Sequence, residues 1–374
     1  MRVICPFLRG FLPGILVGLF TSLLFFSIWR HPSNNLDTHL QYTERLDQTP
    51  RREANANGPR NGPTSTERSD RSPEENEADW TRRIAKLAET SKVAIPGAFD
   101  LLVLVHSAAE QRSLRDAVRL TWLQRGSPNG EYVARFVIGT RYLDDSTLAG
   151  LATENEEHGD LLVLSDVEED GNTEWPSSWK ILQAFSWAVT HVDFATLFKC
   201  NSATFVDIDR LLAKRLTPQR GTIWGYFAGG VKAVRYSENS VAKEENWILC
   251  SHYLPYPQGG GYIISRNIVE LLVEMGPHLD HYRHDDIALG VWLSPLRGIK
   301  KQHALWINSG YYSRGCLNSF VVSHAESVES MEAKAGSLER KGRLCESEYQ
   351  SRLAYHYNWT VSASRCCVRK VGIH

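Results

Sequence analysis

Three regimes of apolar and polar residues follow one another along the chain. Phe11 to Trp29 (FLPGILVGLFTSLLFFSIW) is an uncharged run of nineteen residues with Arg2 and Arg9 before it and Arg30 after it. That length can cross a hydrocarbon core of ~30 Å as one helix, and it exceeds the ~7–15 apolar residues of a cleaved signal. An uncleaved membrane anchor is expected at 11–29 behind a short cytosolic tail at 1–10. Arginines on both flanks leave its orientation open from local charge. Residues 30–95 then turn polar, with Pro, Asn, Arg, Glu and Ser dominating stretches such as TPRREANANGPRNGPTSTERSDRSPEENEAD. A segment of that composition buries too little apolar surface to offset its chain entropy, so a flexible stem is expected.

From Phe99 onward the pattern becomes that of a packed domain, set at 96–374. FDLLVLVHSA (99–108) is a near-continuous apolar run of the kind found in strands covered on both faces. In EQRSLRDAVRLTWL, Leu114, Ala117, Val118, Thr121 and Trp122 recur at helical spacing and leave Arg112, Arg115 and Arg119 on another side. Further strands are expected at 132–140, 160–166 and 195–200, separated by helices near 144–157 and 179–191. Strands alternating with helices imply a mostly parallel sheet, whose ligands bind beyond the carboxyl ends of the strands at a topological switch point. The loop beginning at Asn201 lies at one of those ends. Neither a G-x-G-x-x-G nor a Walker loop is present, and no internal repeat.

Charge and cysteine usage narrow the class. With 42 Lys and Arg against 43 Asp and Glu, the formal net charge of −1 offers no electrostatic case for nucleic acid. Six of the seven cysteines, Cys200, Cys250, Cys316, Cys345, Cys366 and Cys367, fall in the domain. An even set suits disulfides in an oxidising lumen, against the alternative of buried thiols in a cytosolic domain. Six cysteines allow fifteen pairings, so none is assigned. Asn358-Trp359-Thr360 is a glycosylation sequon usable in a lumen.

Four stretches stand out in order: RDAVRLTW (115–122), KCNSATFVDIDRLL (199–212), YPQGGGYIIS (256–265) and HDDIALGVWL (284–293). In this combination the chain resembles the β-1,3-galactosyltransferase family of Golgi type II membrane enzymes. The C-terminal stretches at 313–331, 342–359 and 364–374 look most like the branch that builds the linker tetrasaccharide of proteoglycans. The resemblance spans Phe99 to His374. It implies a GT-A-like, Rossmann-type, mostly parallel sheet flanked by helices, in one luminal domain. It also implies UDP-galactose as donor, a glycan, glycoprotein or proteoglycan as acceptor, Mn²⁺ as cofactor, and a lipid bilayer holding the anchor.

The family match assigns roles residue by residue. An inverting transferase needs a carboxylate to take the proton of the acceptor hydroxyl, and Asp285-Asp286-Ile287 matches the family's acidic pair, with Asp286 as the general base. The plainer reading is that Asp285 or Asp286 caps the helix ALGVWL. Arg115 and Arg119 match paired arginines suited to the leaving diphosphate, with a solvated helix face as the alternative. Lys180 matches a family lysine, and Gly259 and Gly260, with Gly261, would let backbone approach a sugar or simply make a turn. Where the family carries a D-x-D-type cluster for Mn²⁺, this chain has Asn201, Ser202 and Ala203, which offer no carboxylate. Asp207 and Asp209 read as acids opening the next helix, with replacement of the lost ligands as the other possibility. His324 matches a late family histidine and is a candidate metal ligand, or else structural. The stretch NTEWPSSW (172–179) also departs from the family. Two functions follow: a β-1,3-hexosyltransferase, metal-independent if Arg115 and Arg119 take over the charge, or a catalytically inactive relative that binds glycan or a partner transferase.

Overall fold

A computed structural model describes residues 73–124, 130–169, 177–214, 220–234, 244 and 247–373. The expected tail, anchor and stem at 1–72, and residues 172–176 of NTEWPSSW, lie outside the described residues. Among those described, no helix is long and apolar enough to cross a membrane.

Helix α1 (Pro73–Thr90) falls within the expected stem, and here the structure corrects the sequence reading. Leu87 is buried in the core, Arg83 pairs with Glu156 at 2.6 Å, and Ser91 accepts the amide of Val163 and the indole N–H of Trp187. A segment with these buried contacts is part of the domain, whatever its polar composition suggests.

The elements then run β1 (Ile95–His106), α2 (Arg112–Leu120), β2 (Tyr132–Arg141), α3 (Asp145–His158), β3 (Leu161–Glu168), α4 (Ser177–His191) and β4 (Val192–Asn201). After them come β5 (Thr204–Val206), α5 (Ile208–Ala213), β6 (Thr222–Ala228), β7 (Tyr256–Ser265), α6 (Arg266–Met275), α7 (Asp285–Leu293) and β8 (Lys300–His303). The chain finishes with β9 (Ile307–Asn308), β10 (Gly315–Cys316), β11 (Val322–His324), α8 (Val328–Lys341) and β12 (Tyr349–Gln350). Local signals explain several boundaries. Asp144 caps α3 by accepting the Thr147 amide, and Gly159 closes it in the left-handed region at φ 66°, where a side chain would be strained.

The central sheet has seven strands in the order β3-β2-β1-β4-β7-β6-β8. Leu101 to Val105 of β1 are all buried, which is why that strand reads as an unbroken apolar run. β7 pairs antiparallel with both β4 and β6, while every other pairing in this sheet is parallel. The fold is therefore a mixed α/β sheet flanked by helices, mostly parallel with one reversed strand. From β1 the chain steps outward to β2 and β3 and then returns to the other side of β1 as β4. The switch point thus lies between the carboxyl ends of β1 and β4, where His106 pairs with Asn201. Beyond that edge a small sheet, β5-β11-β9, sets His324 opposite Thr204.

Cys316 and Cys345 are bridged at a Cα separation of 5.9 Å, and Cys366 is bridged to Cys367. Cys200 is a buried thiol whose pKa burial pushes up to about 12, and the Cys250 thiol donates to the His252 carbonyl. The even set expected from sequence thus yields two bridges.

Candidate active site

The start of α7 is held from outside the helix. Its N-cap, His284, makes no side-chain capping bond. Instead the buried carboxylate of Glu244 accepts the amides of Arg283 and His284 at 2.8 and 2.7 Å, and Ser177 Oγ accepts the amide of Asp285 at 3.0 Å. These groups take the first amides of the helix end, so Asp285 is not needed as a cap, while Asp286 takes the Ile287 amide. Asp286 turns toward β7, where its Oδ2 accepts the Gly259 amide at 2.9 Å, while Oδ1 accepts the amide of Ile287. Burial, then the charge of Asp285, raises its pKa to about 6 against the opposing pull of His284, Lys199 and the Gly259 amide. His284 itself bonds Glu244 at 2.7 Å, and although burial lowers its pKa, that carboxylate and the two aspartates leave it raised.

Gly259 and Gly260 allow this close approach. A Cβ on Gly259 would lie 3.2 Å from Asp286 Oδ2, and one on Gly260 would lie 2.3 Å from the His324 ring. Gly260 is therefore required by the wall of the site, and a side chain at Gly259 would crowd Asp286, whatever ligand they meet.

At the end of β4, Lys199 is buried, with its side chain 1% exposed. Its ammonium donates to Asn201 Oδ1 and to the Gly259 carbonyl, both at 3.0 Å. It also stands 2.7 Å from Asp285 Oδ2, as an ion pair without the alignment of a hydrogen bond. Ser202 donates its hydroxyl to Gln111 and its amide to the His106 carbonyl. His324 shares a 2.9 Å hydrogen bond with Thr204, which also bonds the Gly260 carbonyl. Burial, then the charge of Lys199, lowers the His324 pKa to about 4.

These surroundings do not fit the Mn²⁺ that the resemblance implies. The Asn201 amide oxygen is taken by an ammonium, the Ser202 hydroxyl is committed to Gln111, and Ala203 has no donor. Among the described residues no three His, Cys, Asp or Glu side chains converge to hold a metal ion. Asp207 and Asp209, considered as replacement ligands, do not supply them: Asp207 is the N-cap of α5, accepting the Arg210 amide at 3.2 Å, and Asp209 is exposed in the first turn of that helix. His324 is near the site, but its ring is bonded to Thr204 and it joins no group of three potential metal ligands among the described residues.

The expected donor arginines are also corrected. Arg115 is fully buried, with Nε and Nη2 each 2.7 Å from Glu154 and Nη1 bonded to Ser107 Oγ and the Ala108 carbonyl. Arg119 pairs with Asp160, Asp116 and Glu154. Neither guanidinium is left to meet a diphosphate; Arg115 shapes the 107–109 turn after β1 instead. Lys180 is buried too, and ties α4 to that turn by donating to the Ser107 carbonyl at 2.9 Å and to Glu169 at 2.6 Å. Burial lowers the Lys180 pKa and raises that of Glu169, each partly offset by the other. Asn358 is exposed, and its Oδ1 accepts the amide and hydroxyl of Thr360.

The structure therefore gathers Asp285, Asp286, Gly259, Gly260 and His324 at one edge, adds Lys199 and Glu244, and sends Arg115 and Arg119 elsewhere. Lys199 carried a signal, a charge inside an otherwise apolar strand. Glu244 lies in no motif.

Comparison with known proteins points the same way. The Galactosyltransferase family pattern matches residues 113–304. Beta-1,3-galactosyltransferase 6 of Mus musculus is 36% identical over 280 residues, covering 73% of this chain and 84% of that protein. UDP-GalNAc:beta-1,3-N-acetylgalactosaminyltransferase 2 of Danio rerio is 30% identical over 162 residues, 42% of this chain and 31% of that protein. Among solved structures, the WbbM bifunctional glycosyltransferase in its apo form covers 57% of this chain and 41% of its own at 14% identity, with a TM-score of 0.34, too loose a likeness to carry any statement.

Proposed function

The chain belongs to the galactosyltransferase family and is a glycosyltransferase of the β-1,3 type; from that premise we propose that it is an inverting enzyme that moves galactose from UDP-galactose to a glycan hydroxyl, with Asp286 as general base. The observation that carries this reading is the Asp286 carboxylate, aimed at the glycine run of β7 with its pKa raised to about 6. A base with a pKa of that size is ionised at neutral pH yet takes a proton more readily than an ordinary aspartate. In the step, Asp286 accepts the proton of the acceptor hydroxyl as its oxygen forms the bond to the anomeric carbon. The bond from that carbon to the diphosphate breaks, and UDP leaves with the electron pair. Asp285 holds Lys199 beside the base, and the Gly259 amide orients the carboxylate. Residues 201–203 do not fit a metal, so the chain's own groups must stabilise the leaving diphosphate.

The galactose donor, the proteoglycan linker as acceptor, a GT-A-like donor site and a Golgi home belong to the same proposal. The linker is favoured by the C-terminal stretches at 313–374. A luminal, type II placement is favoured by the run at 11–29, the Cys316–Cys345 bridge and the exposed Asn358 sequon. Protease added to intact vesicles should spare the domain unless detergent is present; digestion without detergent reverses the topology. The central test incubates the purified full-length chain with UDP-galactose and a xyloside-linked galactose acceptor. Release of UDP with a new β-1,3-linked galactose is expected, and absence of any transferred sugar overturns the reading.

A further inference from the structure

We propose that the ammonium of Lys199 is the built-in cation of this site, held in a cage of oxygens and serving beside the nucleotide diphosphate in place of a divalent metal; this rests on the functional reading above. A buried ammonium is destabilising unless its charge and its protons find partners. Here two protons are bonded, by Asn201 Oδ1 at the end of β4 and the Gly259 carbonyl of β7, and the charge is balanced by Asp285 Oδ2 of α7 at 2.7 Å. One carboxylate, one amide oxygen and one backbone carbonyl form a ligand set of the type hard cations take. The set is occupied by the chain's own side chain. A divalent ion entering it would meet a positive charge and, from Asn201, Ser202 and Ala203, no compensating carboxylate.

The neighbours of Lys199 agree. His324, His106 and Lys180 each have a lowered pKa to which the Lys199 charge contributes after burial. Asp285 and Asp286 face it from α7, and the Tyr262 ring lies 5.8 Å from Nζ. The other basic groups are each hydrogen-bonded to a carboxylate, Arg115 and Arg119 to Glu154 and Lys180 to Glu169, whereas Lys199 makes no hydrogen bond to Asp285. The cage also has a mechanical effect. The Gly259 carbonyl is held by Lys199 while its amide is held by Asp286, so the ammonium positions the base as well as supplying charge.

The test uses the full-length chain, UDP and Mn²⁺. Electron paramagnetic resonance should find no stoichiometric Mn²⁺ on the native chain, and calorimetry should find UDP affinity changed less than tenfold by EDTA. Lys199→Met, similar in length but uncharged, should lose at least tenfold in UDP affinity in metal-free buffer. If that variant fails to fold because Asp285 is left unpaired, Lys199→Met with Asp285→Asn removes both charges and should show the same loss. Lys199→Ala should recover UDP affinity on adding ethylammonium but not on adding tetramethylammonium at equal ionic strength. One equivalent of Mn²⁺ on the native chain, or a folded Lys199 variant with native UDP affinity, overturns the inference. A native chain that binds no UDP at all overturns the proposed function and this inference with it, whereas UDP binding indifferent to Lys199 overturns this inference alone.

Discussion

Two clusters of buried charge flank the sheet, and they are built on opposite terms. Between α2 and α3, Arg115 and Arg119 surround Glu154 with Asp160 and Asp116 at their rim, and each guanidinium nitrogen has an acceptor. Burial pushes the Glu154 carboxyl up, but the two guanidiniums more than reverse it, and its pKa ends below the ordinary value. At the β4–β7–α7 edge the balance fails. Burial and Asp285 raise Asp286 to about 6, and Lys199, His284 and the Gly259 amide offset only part of that. Asp285 Oδ2, Tyr262 Oη and His106 Nε2 are buried with no hydrogen-bond partner among the described residues. A saturated cluster holds a fold together; an unsatisfied one is where a ligand or a proton has work to do.

Breaking the saturated cluster should have the largest effect on stability. Arg115→Met leaves Glu154 buried against a half-empty network, and breaking such a pair costs about 3–5 kcal/mol. Denaturant unfolding should show that loss at neutral pH, and a variant within 1 kcal/mol of native would show that Arg115 is not structural.

Next in size is the chemical defect at the unsatisfied cluster. Asp286→Asn keeps the oxygen that accepts the Gly259 amide but removes the base, so transfer should fall by at least ~100-fold. Stability should move the other way. The folded pKa of Asp286 lies above its unfolded value, so the native state favours the protonated form, and stability is lost as pH rises from about 4 through 6. The asparagine variant should therefore unfold no earlier than the native chain at pH 7.5. Wild-type turnover in this variant would remove Asp286 from the base role.

The same contrast shows what the sequence could and could not reveal. β1 was legible because a strand buried on both faces is an unbroken apolar run, and β2 to β4 because each carries a shorter buried apolar stretch, whereas the reversal of β7 leaves no mark in such a run. Helix α1 was hidden because PEENEADWTRRIAKLAET carries the polar composition of a stem, and only tertiary contacts at Leu87 and Arg83 make it part of the domain. Helical spacing set Arg115 and Arg119 apart from the apolar positions of α2, yet Arg115 is fully buried together with Ala117 and Val118. Their partner Glu154 is 39 residues beyond Arg115 on another helix, and no local pattern could say that it, not phosphate, takes the guanidiniums. Asp286 is named by its motif. Lys199 lay in a motif that was read for its missing acids, and Glu244 reaches α7 from a segment with no pattern at all.

A smaller effect follows from pH. Because Asp286 must be ionised to act, kcat/KM should fall roughly tenfold per unit below pH about 6 and level off above it. The acidic limb should be absent from whatever residual rate Asp286→Asn retains. A native profile flat down to pH 4.5 would mean that burial and Asp285 do not tune the reacting group.

The smallest effect is the one expected from chelation. With Asn201 engaged by Lys199, Ser202 by Gln111 and Ala203 without a donor, EDTA should change UDP-galactose affinity by less than tenfold, or ~1.4 kcal/mol. Asn201→Asp, Ser202→Asp and Ala203→Asp together should convert this edge toward the opposite type, because three carboxylates at the switch point can bridge a divalent ion to the diphosphate. Calorimetry with and without Mn²⁺ should then show tighter binding in metal and a loss on chelation that the native chain lacks. Strong metal dependence in the native chain would mean that ligands outside residues 201–203 complete a metal site, and would move the source of positive charge away from Lys199.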